Sequence, residues 1–598
     1  MILEELTVRN FRSIRDETFR FPSLAILIGK NNTGKTNVLE GARILLEGTS
    51  KDVSSADFFD PSGDIEIRGR FVGVQRYLPL CGERHRPKVE QCVDSEDRVV
   101  IRRTVESGTS TLSGIEIADL SGEFGTPTGI DAGLKAILPE VVSIMPLDDP
   151  AEEAKAKGGK TLAKLLKQIL QRVQSQVQPQ LDRAYGEANS LLNVIEAQQD
   201  GRLTEQDNRV PELQRIESTI TDHLRDTFPR ATVRLRVGFP AVQEIMGQVS
   251  VNVLEGGVET AIDRQGHGVQ RSLYVSLLQT LAEEMRRGDG DGVFRPFVLM
   301  MEEPELFLHP SAQERMRDAL EVIAKRAQVL VATHSPLMVS PSSLRQLVLV
   351  EKTTCEETGK EITGCRAALS GVPISPEEKD LVALLNLQRS SRIFFSDKVI
   401  LVEGISDWYL LDAMAERVID SSLSKLGIGV VEIGGKDKLV RFKGILESLG
   451  LAVQAVADLD FLYSGAGDVL GSDPAYSRFC EQLNNRADEL CPENDGSEQS
   501  SKARKANMVE LCCSELCQQR DELCTLLRSE GIFVLKEGEM HQYAGLGESS
   551  KGRYLVAARE ILAGERDILN QNEIKAIVEA LASPATAEGG PSSETDGS

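Results

Sequence analysis

The sequence predicts a multidomain α/β protein in which a first α/β domain, interrupted by a helical insertion, precedes a second α/β domain. One observation is the glycine loop GKNNTGKT at residues 29–36, which follows the short apolar run at residues 24–28. A buried strand that leads through such a loop into a helix is typical of phosphate-binding proteins. The other observation is a pair of later apolar runs, at residues 398–402 and 452–457, that each end in acidic residues. Polar groups at strand ends are typical of a parallel sheet with a site at its carboxyl edge.

Length and composition place the chain among large cytoplasmic proteins. At 598 residues it has room for about three or four domains. No apolar run approaches the ~20 residues needed to span a bilayer, and the first residues lack a basic and apolar secretion signal. The ten cysteines are unevenly spaced, unlike the disulfide framework of a small secreted protein. We therefore expect a cytoplasmic location and no membrane partner.

The charge balance speaks weakly against a polyanionic partner. Lys and Arg total 68 against 92 for Asp and Glu, which gives a net charge of -24. Binding depends on where the basic residues lie, and carboxylates that hold divalent metals reverse the local field. Tight DNA binding without metal ions is the activity that this composition disfavours.

Changes of composition along the chain suggest five segments. Residues 1–148 carry strand patterns around the glycine loop, and residues 149–230 are rich in Ala, Gln, Leu and Glu with apolar residues at helical spacing. The latter segment is predicted to be a helical insertion, either packed on its own domain or used as a dimerisation arm. Residues 231–390 complete the head and form a connector, and residues 391–577 form the second α/β domain. Residues 578–598 are predicted to be a disordered tail, since the chain end has too few apolar side chains to offset the entropy of ordering.

The glycine loop has the chemistry of an ATP site. Backbone N–H groups wrap the phosphates, Lys35 reaches the β and γ phosphates, and the Thr36 hydroxyl ligates magnesium. A chance turn is the weaker alternative, because the strand, loop and helix occur in the required order. The expected ATP-binding residues of the loop are Gly29, Asn31, Asn32, Thr33, Gly34, Lys35 and Thr36.

A carboxylate pair follows a later strand. The apolar run at residues 296–301 leads into Glu302 and Glu303, at the strand end where an open α/β sheet places its ligands. Glu302 is expected to hold magnesium, directly or through water, and Glu303 to polarise the attacking water. At this place in ATPases of this type, Asp is more common than the Glu302 of this sequence. A solvated surface pair is the alternative interpretation of the two carboxylates.

Further segments resemble one branch of ATPases. These are QGHGVQ at residues 265–270, THSP at 333–336, NFRSI at 10–14 and PELFLHP at 304–310. Together with the loop they resemble the ATP-binding-cassette (ABC) ATPases of the RecF, SMC and OLD (overcoming lysogenization defect) branch. The resemblance implies an ABC-type, RecF/SMC-like head in which Gly266, Gly268 and Gln270 complete the ATP site of another subunit. It also implies that His334 senses the γ-phosphate within its own subunit, and that the protein forms a homodimer or a larger homo-oligomer such as a tetramer. The alternative for the segment at residues 265–270 is a flexible glycine turn, and the alternative for His334 is a core histidine.

The second domain carries the acidic residues Glu403, Asp407, Asp458 and Asp460. Glu403 follows the first apolar run, and Asp407 lies one turn into the next helix. Asp458 and Asp460 alternate with a leucine after the second run, so their side chains point the same way. Carboxylates that converge at one sheet edge favour Mg²⁺ or Mn²⁺ over zinc. Solvated acids at strand ends are the alternative.

This order of residues is similar to a Toprim domain, the fold shared by topoisomerases, primases and OLD nucleases. The similarity implies phosphodiester chemistry with two metal ions, in which Glu403 and Asp458 hold the first ion and Asp407 and Asp460 complete the sites. It also implies that Lys536 neutralises charge on the reacting phosphate.

The late segment departs from the family at one position. The family more often has Glu where His541 stands, so the sequence leaves open whether Glu539 or His541 binds metal. Cys512, Cys513, Cys517 and Cys524 include helical spacings but no zinc-type pairing, and core packing is the favoured interpretation.

The two resemblances together imply an ATP-regulated, divalent-metal-dependent DNA endonuclease of the OLD family, which includes nucleases of Gabija-type antiphage systems. Antiphage defence or DNA processing would be its role, ATP its nucleotide, DNA its substrate, and a separately encoded helicase a candidate partner. Three alternatives stay open: a RecF- or SMC-like DNA-binding ATPase without nuclease activity, a topoisomerase or primase, and an ATP switch that recruits another enzyme. The sequence leaves undecided whether ATP activates or inhibits cleavage.

Overall fold

The computed structural model covers residues 1–598. The parts of the chain that it describes are residues 1–109, 111–126, 130–144, 179–180, 182–184, 186–199, 202–225, 230, 232, 234–235, 252–255, 257–287, 295–306, 308–340, 345–355, 358–368, 390–448, 450–490, 498–547 and 552–583. Residues 149–178 of the predicted helical insertion lie outside these ranges.

Twenty strands occur in the described parts. In chain order they are β1 Ile2–Phe11, β2 Ile14–Arg20, β3 Leu24–Ile28, β4 Ile65–Val72, β5 Arg98–Val105, β6 Glu116–Ala118, β7 Phe124–Gly125, β8 Glu140–Ile144, β9 Ile195–Gln199, β10 Arg202–Gln206, β11 Asn252–Glu255, β12 Val258–Ala261, β13 Phe297–Glu302, β14 Gln328–Ala332, β15 Leu347–Thr354, β16 Glu361–Ala368, β17 Lys398–Val402, β18 Ile428–Glu432, β19 Val453–Ala457 and β20 Ile532–Val534.

The α-helices of the same parts are written below by their bounds. They are Lys35–Glu47, Arg86–Glu90, Ile130–Ile137, Pro211–Arg225, His267–Arg287, Pro310–Ile323, Ile405–Ile419, Leu439–Ser448, Phe461–Ser464, Gly467–Leu470, Pro474–Leu490, Glu498–Cys513, Cys517–Ser529, Met540–Tyr543, Tyr554–Ala563 and Gln571–Ala582.

The chain divides into two compact units. The first comprises residues 1–3, 71–100 and 115–331, and the second comprises residues 4–70, 101–114 and 332–598. These units do not follow the predicted boundaries at residues 148, 230 and 390, which therefore stay predictions.

The first unit contains a parallel strand pair that ends in the predicted carboxylates. β13 pairs in parallel with β8, and Phe297 lies opposite Glu140 at the start of the register. The first five residues of β13 are buried, and Glu302 at its end is half-buried. An all-apolar strand of this kind is stable only when both of its faces are covered. Polar side chains can therefore appear only where β13 ends, at Glu302.

The second unit contains the strand that leads into the glycine loop. β3 is buried along its whole length and pairs in parallel with β15, whose other edge pairs antiparallel with β16. β1 and β2 form an antiparallel pair nearby in sequence. The predicted strand at residues 24–28 and the helix that follows the loop are confirmed.

A parallel four-stranded sheet forms the core of the C-terminal part of the second unit. Its strand order is β18, β17, β19 and β20, and every neighbouring pair is parallel. β17 is fully buried, as its continuous apolar sequence requires. The helix Ile405–Ile419 packs on this sheet through Leu410, Leu411 and Met414, each of which has no exposed surface.

The described part of the predicted helical insertion is not entirely helical. The helix Pro211–Arg225 is present, but β9 and β10 form an antiparallel hairpin within the segment. The sequence between them contains Asp-Gly, a strong signal for a tight hairpin turn that the helical interpretation overlooked. The helical insertion predicted over residues 149–230 thus contains an antiparallel strand pair as well as a helix, and its boundaries stay a prediction.

The predicted tail begins too early. The helix Gln571–Ala582 crosses the proposed boundary at residue 577, and Val578 and Leu581 have no exposed surface. The Lys398 ammonium donates hydrogen bonds to the carbonyl oxygens of Leu581 and Ser583, at 2.9 and 2.6 Å. Buried apolar positions and a capping lysine order residues 578–583, whereas the rest of the predicted tail lies outside the described residues.

Candidate nucleotide site and acidic edge

The nucleotide loop (residues 29–36) lies between β3 and the helix Lys35–Glu47, as predicted. Gly34 caps this helix with φ of 100°, a backbone conformation that favours glycine. Thr33 and Lys35 are buried, whereas Asn31, Asn32 and Thr36 are exposed. The loop therefore combines fixed positions with an open face on which phosphates can bind.

Two elements of the second unit meet at the Lys35 ammonium. It donates hydrogen bonds to the carbonyl oxygens of Gly29 and Lys30, at 3.0 and 2.8 Å. Its Nζ atom also lies 2.9 Å from Nε2 of His334, which follows β14. The structure thus brings together the lysine and the histidine that the sequence assigned to the terminal phosphate, although 299 positions separate them.

The carboxylate pair lies at the end of β13 in the first unit. Glu302 is the last residue of the strand, and Glu303 has φ of 46°. A non-glycine residue in this left-handed region is uncommon, and such backbone conformations concentrate at functional sites. The placement agrees with the expected strand-end position of both residues, and their roles stay predictions.

The segment predicted to act on another subunit lies at the start of a helix. Gly266 precedes the helix His267–Arg287, and Gly268 lies in its first turn. The Gln270 side chain is only 2% exposed, and its amide donates to the carbonyl oxygens of Ile262 and Gln265. Within its own chain Gln270 therefore stabilises the preceding turn, and the expected contact with a second subunit stays a prediction.

The acidic edge (Glu403, Asp407, Asp458 and Asp460) forms where the parallel strands of the C-terminal sheet end. Glu403 follows β17 and Asp458 follows β19, two neighbouring strands. The Asp458 backbone N–H donates to Oε1 of Glu403 at 3.2 Å, and the Met540 backbone N–H donates to Oδ1 of Asp458 at 3.2 Å. The parallel strands thus bring Glu403 and Asp458 together, as the sequence pattern predicted.

Asp407 has a second task within the same edge. Its Oδ2 atom accepts a hydrogen bond from the Gly404 backbone N–H at 2.9 Å, so it caps the helix Ile405–Ile419. The Ser406 hydroxyl donates to the other carboxylate oxygen at 3.3 Å. A carboxylate near a helix N-terminus is stabilised by the unpaired N–H groups there. The Asp407 side chain is therefore held at the start of this helix, just after Glu403 in the sequence.

Two lysines to which the sequence gave no role contact Asp460. Lys436 and Lys505 place their Nζ atoms 2.6 and 2.7 Å from Oδ2 of Asp460. Lys505 also lies 3.5 Å from Oε1 of Glu539. Lys436 follows Gly434 and Gly435 after β18, but Lys505 comes from the polar helix Glu498–Cys513, whose sequence carries no recognisable signal.

The charges at the acidic edge are only partly balanced. Burial, and then the negative charge of Asp460, raises the pKa of Glu403 to about 7. Burial and the neighbouring carboxylates also raise the pKa of Asp458 well above its usual value. Burial acts in the same direction on Asp460, but hydrogen bonds from Lys436 and Lys505 outweigh it and lower that pKa. Asp460 is thus neutralised by ammonium groups, whereas Glu403 and Asp458 resist ionisation.

The residues of the late segment make two different contacts: Glu539 lies beside the acidic edge, and Lys536 contacts a carboxylate outside it. The Oε2 atom of Glu539 is 3.2 Å from Nδ1 of His541. Of the two open ligand candidates, Glu539 is therefore the one in contact with an edge lysine. The Lys536 ammonium lies 3.0 Å from Oδ1 of Asp521, so the structure pairs this predicted catalytic lysine with a carboxylate outside the edge.

The donor set fits a hard divalent cation. All the edge ligands are carboxylate oxygens, which suit Mg²⁺ and Mn²⁺. Glu432, opposite Val402 in the strand register, adds a buried Oε2 atom without a hydrogen-bond partner in the described part of the chain. Among the described residues, however, no three His, Cys, Asp or Glu side chains already stand in a metal-holding arrangement. At Asp460 the reason is that the ammonium groups of Lys436 and Lys505 already occupy the space beside the carboxylate that a metal ion would need.

The cysteines contribute to packing. Cys512 and Cys524 are buried, and burial raises the pKa of the Cys512 thiol to about 12. A thiol held in its neutral form is a poor metal ligand and a poor nucleophile. These positions agree with core packing rather than a zinc site.

Comparison with known families now identifies both regions. The family described as AAA ATPase domain matches residues 1–112 and 134–339, and the family described as overcoming lysogenization defect protein-like, TOPRIM domain matches residues 394–460. The chain belongs to the AAA ATPase domain family and carries an OLD-like Toprim domain. The predicted fold class, an ATPase head followed by a Toprim domain, is confirmed.

Two named relatives extend along most of the chain. The Old nuclease of Escherichia phage P2 is 26% identical over 563 residues, which cover 91% of this chain and 93% of the relative. The OLD nuclease of Thermus scotoductus is 22% identical over 490 residues, which cover 77% and 82%. Together with the two family matches, these relatives support an enzyme that combines a nuclease with an ATPase domain.

Solved structures resemble the chain more distantly. An Smc head bound to the C-terminal winged-helix domain of ScpA covers 61% of this chain and 98% of its own, with 15% identity and a TM-score of 0.36. The SMC head domain from Thermotoga maritima gives a TM-score of 0.28 at 13% identity. Within the described residues, no helix is long and apolar enough to cross a membrane.

Proposed function

We propose that this nuclease with an ATPase domain is a DNA endonuclease that uses divalent metal ions at the acidic edge and responds to ATP at the nucleotide loop. The proposal rests on the meeting of Glu403 and Asp458 at neighbouring strand ends, where the backbone of one donates to the carboxylate of the other at 3.2 Å. Buried carboxylates with raised pKa values are stable as anions only beside a cation. The names of the two nuclease relatives support phosphodiester cleavage.

The acidic edge would hold Mg²⁺ or Mn²⁺ through Glu403 and Asp458, and Asp407 and Asp460 would complete the ligand set. When bound, a pair of such ions lowers the pKa of an attacking water and stabilises the leaving oxygen. The protein's own contribution is to fix these carboxylates on rigid strand ends and on a helix cap. Rigid placement matters because two-metal chemistry depends on the positions of its ligands.

Lysines supply the positive charge that the reacting phosphate needs. Lys505 is the residue that the geometry favours for this role, since its ammonium already contacts Asp460 and Glu539. Lys536, which the family resemblance implied, pairs with Asp521. A cation bound at Asp460 would free Lys505 to contact the phosphate.

ATP control would operate through the head. Lys35 and His334 lie together at the loop, where they would bind the γ-phosphate, and Glu302 and Glu303 would support magnesium binding and hydrolysis. Gly266, Gly268 and Gln270 would complete the ATP site of a second copy, which makes the active protein a homodimer or a larger homo-oligomer. A cytoplasmic role in antiphage defence or DNA processing, with a separately encoded helicase as a candidate partner, completes the proposal.

A plasmid-nicking assay with metal and ATP varied tests the cleavage activity. Wild-type protein with Mg²⁺ or Mn²⁺ should convert supercoiled DNA to nicked and linear forms, and Glu403→Gln should abolish both products. Glu416→Gln is the matched control, because it removes a half-exposed carboxylate from the helix Ile405–Ile419. Equal cleavage by Glu403→Gln would refute the assignment, and relaxed closed circles would indicate a topoisomerase instead.

An ATP titration of the same assay tests the regulation. The rate of cleavage should change with ATP concentration in the wild-type protein and become independent of ATP in Lys35→Ala. The sign of the wild-type response shows whether ATP activates or inhibits. A response that persists in Lys35→Ala would contradict control through the nucleotide loop.

A further inference from the structure

A buried threonine on β16 contacts the nucleotide loop from a distant part of the chain. Thr363 is only 2% exposed, and its hydroxyl donates a hydrogen bond to the carbonyl oxygen of Thr33 at 2.7 Å. The two residues are 330 positions apart. No motif in the sequence marks this contact, which arises because β15 lies between β3 and β16.

The contact belongs to a chain of side-chain hydrogen bonds with a defined direction. Asn37 donates from Nδ2 to the Ser13 hydroxyl oxygen at 2.8 Å, and the Ser13 and Thr363 hydroxyl oxygens are 2.7 Å apart. Because the Thr363 proton is used toward Thr33, Ser13 must be the donor to Thr363. The bonds therefore run from Asn37 in the loop's own helix through Ser13 and Thr363 back to the loop carbonyl. A backbone bond from the Thr363 N–H to the Ser13 carbonyl, at 2.7 Å, also joins β16 to the turn between β1 and β2.

Steric fit makes the same threonine specific to this loop. A Cβ atom on Gly34 would lie 2.2 Å from Oγ1 of Thr363, well inside van der Waals contact, and Gly34 has φ of 100°. Glycine is therefore required at position 34 both by its backbone conformation and by the threonine packed against it. Thr363 fills the space that a side chain at position 34 would occupy.

We propose that Thr363 is a positioning residue for the nucleotide site. By holding the Thr33 carbonyl on the buried side of the loop, it orients the following peptides so that their N–H groups face the phosphates. It does not touch nucleotide itself and acts through Thr33 and Gly34. This role concerns ATP binding alone, so it stands whether or not the chain cleaves DNA.

The test compares three single variants of the full-length protein by titration with a fluorescent ATP analogue. Thr363→Val keeps the shape but leaves the Thr33 carbonyl and the Ser13 hydroxyl without their partner, and should raise Kd at least about fivefold. Thr363→Ser restores the hydroxyl and should stay within about twofold of wild type. Thr353→Val, on the exposed end of neighbouring β15, is the control and should change nothing.

A purely structural role would shift thermal stability without this pattern in Kd and in KM for ATP. Equal Kd values for Thr363→Val and wild type, or equal losses for the Val and Ser variants, would overturn the proposal. If Thr363→Val fails to fold, Ser13→Ala provides the second measurement, because it removes the donor to Thr363 and should also weaken ATP binding. An unchanged Kd in a folded Ser13→Ala variant would likewise overturn it.

Discussion

The nucleotide loop and the acidic edge are both sites for phosphate chemistry, yet their charges are balanced in opposite ways. In the loop, the Lys35 ammonium is surrounded by two backbone carbonyls and the His334 ring, within 3.0 Å. At the edge, buried carboxylates crowd together, and the pKa of Glu403 rises to about 7, through burial first and then through Asp460. The Lys35 charge is therefore stabilised by contacts within the protein, whereas the edge needs additional positive charge.

The difference follows from how each site is encoded. Eight consecutive residues form the loop, and the Lys35 ammonium donates to two of its carbonyl oxygens, while His334 and Thr363 contact it from distant positions. The edge takes Glu403 and Asp407 from one segment and Asp458 and Asp460 from another, and Lys505 of a separate helix contacts Asp460. A site built from one segment can be prearranged by local hydrogen bonds, whereas a site of converging like charges keeps an electrostatic cost until a cation binds.

The largest effect should come from neutralising the edge. Glu403→Gln removes a buried oxygen ligand and should reduce metal-dependent cleavage by at least about 100-fold, because even indirect supports of a metal site cost 10–100-fold. ATP binding by the same variant should remain at the wild-type level, which separates the two regions. Rates of plasmid nicking and ATP affinity measured on one preparation check both statements.

The corresponding change in the loop should affect the other property. Lys35→Ala removes the ammonium that is held beside His334 and should weaken ATP binding by about 10–100-fold, the loss expected for charge-assisted hydrogen bonds. Metal-dependent thermal stabilisation of the acidic edge should persist. Loss of both properties in Lys35→Ala would show that the two regions are not independent.

A comparison of two lysines sharpens the electrostatic picture of the edge. Lys505→Met should lower the cleavage rate about tenfold or more and should alter Mn²⁺ affinity, because its ammonium contacts Asp460. Lys536→Met should have the smaller effect, since its ammonium pairs with Asp521. Lys575→Met, an exposed lysine of the helix Gln571–Ala582, controls for the loss of one charge. The reverse order of effects would restore Lys536 as the catalytic lysine.

Metal-free stability should depend on pH in a direction that the edge dictates. The folded-state pKa of Glu403 is about 7, whereas an exposed Glu titrates near 4.5, so unfolding releases a proton between these values. This group therefore destabilises the fold increasingly from pH 4.5 to pH 7 and by a constant amount above. Glu403→Gln should be more heat-stable than the wild type at pH 8 and equal to it near pH 4.5, measured by thermal unfolding with chelator. A difference that stays constant across this range would contradict the shifted pKa.

The last prediction concerns the stability of the chain end, away from both sites. Deleting residues 578–598 removes Val578 and Leu581, both fully buried, and should lower the free energy of unfolding by about 3–6 kcal/mol. Deleting only residues 584–598 should leave it unchanged. Denaturant midpoints of the two truncated proteins against full length distinguish the observed helix boundary from the predicted one.

The sequence predicted what consecutive residues determine. The strand before the loop, the loop's helix and the acidic strand ends are where their apolar runs placed them. The β9–β10 hairpin was missed because a helical composition masked a local turn signal, and the last helix was cut short because its apolar residues were judged without their packing partners.

Residues that act through long-range contacts were beyond prediction from one sequence. Lys505 lies in a polar helix with no motif, and Thr363 reaches the loop only because of the strand order. The family resemblance predicted a catalytic role for Lys536, but in the structure its ammonium contacts Asp521 instead of the acidic edge. Such contacts are set by tertiary packing, which leaves no periodic signal in the chain.

Calorimetric titration of Mn²⁺ into the metal-free protein at pH 7, in two buffers of different ionisation enthalpy, most directly tests the incomplete charge balance of the edge. If Glu403 and Asp458 hold protons that a cation displaces, Mn²⁺ binding should release protons in the wild type. The release should disappear in the Glu403→Gln, Asp458→Asn double variant and persist in Glu416→Gln. Mn²⁺ binding without proton release, or equal release by the double variant, would contradict the view that the acidic edge is a protonated site completed by a metal ion.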